Sequence, residues 1–131
     1  MLRLHWRGLH RLALKMKKAD PVNRQNSEHY TWGERCDGWH LVRDASLSVI
    51  EECMPPGTAE LRHHHHKAQQ FFFVLSGTAI MELEGEIVEL CRGDGIRVLP
   101  GKRHQIRNES SEPVQFLVIS QPPSHGDRIN E

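Results

Sequence analysis

GTAELRHHHHKAQQFFFVLSG, residues 57–77, is the stretch on which the reading of this chain turns: four consecutive histidines run into two glutamines and three phenylalanines. In an extended backbone successive side chains point to opposite faces, so His63 and His65 point one way while His64 and His66 point the other. One of these pairs can share a metal ion. A second stretch, GDGIRVLPGKRHQIRN at residues 93–108, offers a third imidazole, His104, which shares a strand face with Ile106 and Asn108. Gln70 stands an odd number of residues from His65 and joins the same interior only if Lys67-Ala68 makes a bend or bulge.

Working outward, the chain resolves into short apolar runs with turn residues between them. Runs at 39–43, 46–54, 60–66, 69–75, 78–83, 86–91, 96–99, 103–107 and 114–120 have strand character, and helical spacing is absent after residue 18. Pro55-Pro56-Gly57, Ser76-Gly77, Glu84-Gly85, Gly93-Asp94-Gly95 and Pro100-Gly101 punctuate them at the spacing of a sandwich or barrel. No helical crossover joins any two strands, which predicts a largely antiparallel all-β body. The run from Phe71 to Leu75 is apolar on both faces, with Phe72 and Val74 inward beside Gln70. Its outer face, Phe71, Phe73 and Leu75, then needs a cover, and a second copy of the chain would supply one.

Composition narrows the function classes. The 131 residues suit one domain, and a formal net charge of zero gives no field to attract nucleic acid or an anionic membrane, so a small-molecule ligand is the expected partner. Cys36, Cys53 and Cys91 form an odd set without CxxC spacing, which fits reduced thiols and a cytoplasmic protein. No apolar run reaches the ~20 residues that a membrane-spanning helix needs. Residues 1–18 carry six basic and no acidic side chains, and Leu2, Trp6, Leu9, Ala13 and Met16 recur at helical spacing. This segment reads as a surface or membrane-touching amphipathic helix, as a targeting segment, or as a non-native extension before Met16, and no role is assigned to it. The expected division is an N-terminal extension and lead-in at 1–29, the β body at 30–121, and a proline-broken polar tail at 122–131 that lies over the mouth of the body or frays.

The two stretches resemble the two motifs of the cupin superfamily. The first family motif runs glycine, five residues, histidine, one residue, histidine, three or four residues, glutamate, six residues, glycine; Gly57, His63, His65 and Gly77 fall on it, with Gln70 where glutamate is usual. The second is matched by Gly93, Gly101, His104 and Asn108, with Leu99 in place of the usual first proline. The resemblance covers roughly residues 39–120 and implies an antiparallel jelly-roll (double-stranded β-helix) barrel. It also implies one divalent transition metal ion (Zn, Fe, Ni, Co or Mn) held by His63, His65, Gln70 and His104.

Glutamine at position 70 changes the chemistry to expect. An amide cannot take a proton at ordinary pH, so a mechanism that uses a metal-bound carboxylate as base is disfavoured. Three imidazoles and an amide leave the ion its full charge, which suits Lewis-acid work. The expected function is therefore a metal-dependent isomerase, epimerase or lyase acting on a small polar metabolite, as a homodimer. A non-catalytic sensing or storage module and a dioxygenase are the alternatives. An acid or base inside the body would separate them, but the strand faces of Glu51, Glu52 and Arg97 are open, and no residue is assigned as catalytic. His29, His40 and His125 have no partner spacing and read as ordinary surface histidines.

Overall fold

The strand Val114–Gln121 alternates strictly, with Val114, Phe116, Val118 and Ser120 buried and their neighbours half-exposed. That pattern is repeated along most of the chain. The structure is a computed structural model that describes residues 19–131, so the basic segment at 1–18 and any helix within it lie outside the described residues. After one 3-10 turn (Arg24–Asn26), the first strands are β1 (Glu28–Trp32), β2 (Cys36–Arg43), β3 (Ser48–Met54) and β4 (His63–His65). Next come β5 (Gln69–Ser76), β6 (Thr78–Leu83), β7 (Glu86–Cys91) and β8 (Gly95–Val98). The last three are β9 (His104–Arg107), β10 (Val114–Gln121) and β11 (Arg128–Asn130). Of these, β1 and β11 had no counterpart among the apolar runs, since neither has a buried side chain to create one.

Every strand pairing is antiparallel. The strands form two sheets, one of six in the order β1-β2-β3-β10-β5-β8 and one of five in the order β11-β4-β9-β6-β7. The expected closed barrel is not formed. Among the described residues each sheet ends in edge strands, β1 and β8 in one and β11 and β7 in the other, and no hydrogen-bonded ladder joins an edge of one sheet to an edge of the other. Closure needs such a continuous ladder; here the sheets are held by side chains instead. Their shared core takes Met54, Phe72, Val74 and Phe116 from the six-stranded sheet and Met81 and Ile106 from the five-stranded one.

The apolar strand β5 behaves as its sequence suggested, with Gln70, Phe72 and Val74 buried inward and Phe71 left 40% exposed on the outside. The tail does not fray. It returns past the site and adds β11 to the edge of the five-stranded sheet beside β4. At the other side of the molecule, Gly38 of β2 lies between Tyr30 of β1 and Glu52 of β3 in one cross-strand row. A Cβ at Gly38 would overlap the Tyr30 ring, so the absence of a side chain there lets the ring lie across the sheet towards Glu52.

Candidate metal centre

Strand β4 carries His63 and His65 on one face, and β9 sets His104 directly opposite His63 in register. Ring centroids are 4.3 Å apart for His63 and His104, 4.9 Å for His63 and His65, and 5.8 Å for His65 and His104. One nitrogen from each ring lies within 4.8 Å of the other two, and all three residues are buried. The sequence-predicted trio is thus brought together.

The hydrogen bonds decide which nitrogens face the centre. His63 Nδ1–H donates to Leu61 O at 2.8 Å, His104 Nδ1–H to Lys102 O at 2.9 Å, and His65 Nδ1–H to Asp127 O at 3.2 Å. A carbonyl only accepts, so each Nδ1 holds the proton and each Nε2 keeps its lone pair. Among the described residues the buried Nε2 atoms of His65 and His104 have no hydrogen-bond partner. Gln70 Nε2 donates to Ser120 Oγ at 3.0 Å, which leaves its Oε1 buried and unpartnered as well. Each such orphan costs about 1–3 kcal/mol unless something satisfies it. Burial pushes His63 down to about 3 and His104 to about 4, with mutual repulsion adding to the effect, and burial lowers His65 too; all three are neutral at pH 7. Three neutral imidazoles with backbone-anchored Nδ1–H groups and an amide oxygen fit a borderline divalent transition ion, and the trio is a potential site for one.

Gln70 reaches this interior by the bend that its odd spacing required. The chain bends at His66 and Lys67 and crosses from the five-stranded sheet, which holds His65, to the six-stranded sheet, which holds Gln70. The two side chains therefore line one cavity from opposite sheets rather than from one strand. His64 and His66 turn outward, His64 against the Glu131 carboxylate at 2.8 Å. Asn108 is structural: it donates to Met54 O and Glu112 O at 2.9 and 2.8 Å, and its Oδ1 accepts from Ser110.

A cavity of about 550 Å³ opens beside the cluster, with His63, His65 and Gln70 in its wall; His104, fully buried, is not among its lining residues. Across it stand groups that the sequence left unassigned. Glu52 faces the cavity and accepts a hydrogen bond from Tyr30 Oη at 3.4 Å, while Glu60 takes the Ile106 N–H at 3.0 Å. Burial is the main reason that Glu52 is pushed up to about 7 and Glu60 to about 8; Tyr30's hydrogen bond pulls Glu52 the other way, and Glu52's charge pushes Glu60 further. Burial and then Glu52 raise Tyr30 well above its usual value.

The neighbouring candidates are sorted by the same register. Glu51 turns away to pair with Arg24 at 3.1 Å, and Arg97 donates to Gln69 Oε1 at 2.9 Å. His29 is an exposed partner of Asp37 at 2.7 Å, but His40 and His125 line the cavity, and His40 Nδ1 is buried without a partner. Nothing local in the sequence marks Tyr30 or His40, because only cross-strand register turns them towards the cavity; Glu60 is a local neighbour, three residues before His63 and 3.9 Å from its Nδ1.

Comparison with known proteins agrees with this architecture. The sequence profile of the cupin domain matches residues 50–120. An uncharacterised protein of Methanocaldococcus jannaschii is 32% identical over 89 residues, 67% of this chain and 71% of that one. Among solved structures, a predicted oxalate decarboxylase from Thermotoga maritima superposes with a TM-score of 0.73 at 17% identity, covering 79% of this chain and all of that one. A sugar phosphate isomerase from a cupin superfamily, from Silicibacter pomeroyi, gives 0.68 at 19% identity, covering 79% of this chain and 76% of that one. At such identities the structures share the fold alone. The profile match spans more than half of the chain and makes this protein a member of the cupin family.

Proposed function

We propose that the chain is a metal-dependent enzyme of the isomerase, epimerase or lyase kind, acting on a small polar metabolite. One observation carries this: the clustered histidines, with unpartnered Nε2 atoms on His65 and His104, stand beside a cavity whose wall holds the unpartnered Oε1 of Gln70 and a carboxyl group with a tyrosine on it. His63, His65, His104 and Gln70 would hold the ion, which when bound supplies Lewis acidity towards a carbonyl or hydroxyl oxygen. Glu52 then serves as the group that takes and returns a proton. Its displacement towards 7 keeps both forms populated near neutral pH, the condition for general acid–base work. Tyr30 Oη–H steadies the ionised carboxylate, and Glu60, held up near 8, is largely protonated and can donate a hydrogen bond to a substrate oxygen. Arg128, also in the wall, favours a substrate with an anionic group.

Because the base is not itself a metal ligand in this scheme, glutamine at position 70 is no obstacle to it. An interior acid–base group is also what a pure sensing or storage module would lack. The two solved neighbours named above are called a predicted oxalate decarboxylase and a sugar phosphate isomerase, reactions that Lewis acidity beside a proton donor suits. No helix among the described residues is long and apolar enough to cross a membrane. Three free thiols suit a reducing compartment such as the cytoplasm. The exposed Phe71, stacked on Phe73 with centroids 6.3 Å apart, supports a homodimer through the outer face of β5.

The test is elemental analysis of protein purified without a histidine tag or metal resin, followed by an NMR screen of small sugars, hydroxy acids and keto acids for isomerisation or elimination. About one transition ion per chain and one converted compound are expected. Protein that carries no ion and takes none up on titration would overturn the proposal.

A further inference from the structure

Beyond the histidines, one residue of the C-terminal segment ties the site together. After β10 the chain forms a turn closed by Asp127 N–H donating to Ser124 O at 3.0 Å, with Gly126 at φ +79 and no positive φ at His125. That is a type II turn, whose third position favours glycine. It delivers Asp127 to the bend between β4 and β5. The Asp127 carboxylate accepts three successive backbone N–H groups there, from His66 at 3.1 Å, Lys67 at 2.9 Å and Ala68 at 2.9 Å. Its own backbone carbonyl accepts His65 Nδ1–H at 3.2 Å.

These four contacts have a common consequence. Where the chain leaves one sheet for the other, its amide groups have no ladder partner and each needs an acceptor. No side chain within the bend accepts them; the acceptor is about 60 positions away in sequence. The path from His65 to Gln70, and the aim of the His65 ring, are thus set by a residue that does not itself line the cavity.

We propose that Asp127 is a positioning residue of the metal site, so that seating of the Ser124–Asp127 turn on the bend and metal binding are coupled and each favours the other. This rests on reading His63, His65 and His104 as that site. Coupling of this kind is reciprocal: what seats Asp127 on the bend tightens the metal, and the metal steadies that seating.

The experiment uses the full chain and zinc alone, with no substrate. Zinc affinity is measured by competition with a chelating dye for the parent, Asp127→Ala, Asp127→Asn and Glu131→Ala, and amide hydrogen exchange across 124–131 is followed with and without zinc. Glu131→Ala is the control, since it removes contacts to His64 and Arg103 at the far end of the tail and leaves Asp127 on His65 and the bend. Loss of a partner that orients a ligand costs about 10–100-fold in affinity. Asp127→Ala should weaken zinc by about tenfold or more, Asp127→Asn, which keeps one acceptor oxygen, should recover part of the loss, and Glu131→Ala should stay within about twofold of the parent. Zinc should slow exchange across 124–131 in the parent and in Glu131→Ala but not in Asp127→Ala. If Asp127→Ala does not fold, Asp127→Asn carries the comparison by itself. Parent-like affinity in the folded Asp127 variants, equal losses for Asp127→Ala and Glu131→Ala, or exchange indifferent to zinc would each overturn the coupling. A parent that binds no zinc would instead sink the metal site itself.

Discussion

Glu52 makes a sharp test of the cavity chemistry, because replacing it by glutamine should make the protein more stable at alkaline pH and leave it unchanged in acid. Its carboxyl is raised from 4.5 to about 7 in the folded protein, chiefly by burial. The folded state therefore binds more protons than the unfolded state between those values. Stability from this group is fully present below pH 4.5 and is lost as pH rises through 7. At ~1.36 kcal/mol per pH unit the displacement corresponds to about 3 kcal/mol, a ceiling that water in the open cavity reduces. The amide of Glu52→Gln has nearly the same shape, still accepts from Tyr30 Oη and does not ionise. Urea unfolding of parent and variant with chelator present should give matching stabilities at pH 4.5 and a variant more stable by about 1–3 kcal/mol at pH 8.5. The histidines are common to both proteins and cancel in the difference. Parallel pH curves, or a variant weaker than the parent at pH 8.5, would refute the burial argument and with it the choice of Glu52 as proton carrier.

Three further outcomes are expected. Gln70→Glu sets an anionic oxygen where an unpartnered amide oxygen stands and should tighten zinc about tenfold or more; His65→Ala should weaken it far more, while His64→Ala, on the outer face, should change it little, all read by metal titration. Gly38→Ala forces a methyl group into the Tyr30 ring, and overpacking of this kind costs about 1–3 kcal/mol, so its unfolding midpoint should fall. Sedimentation should give a dimer mass for the parent and a monomer mass for Phe71→Glu; a parent that is monomeric at micromolar concentration would discard the role given to the outer face of β5.

How much of this was legible in the chain itself follows from the range of each signal. Period-two alternation is local, so it separated His63 and His65 from His64 and His66 and set Phe72 and Val74 inward without any knowledge of neighbours. The odd spacing of Gln70 demanded a bend, and the bend is there. Whether the sheets close, by contrast, depends on ladders between edge strands distant in sequence, and the turn spacing that suggests a barrel is equally that of two open sheets sharing a core. The same limit hid Glu52 and Tyr30, which are joined only because Gly38 leaves the row between them clear. It hid Asp127 too, a polar residue in a proline-broken tail whose partners lie about 60 positions earlier. Sequence alone determined which side chains share a strand face, because that is a property of adjacent residues; the tertiary structure decided which faces meet, because cross-strand register is fixed by the packing of the whole chain.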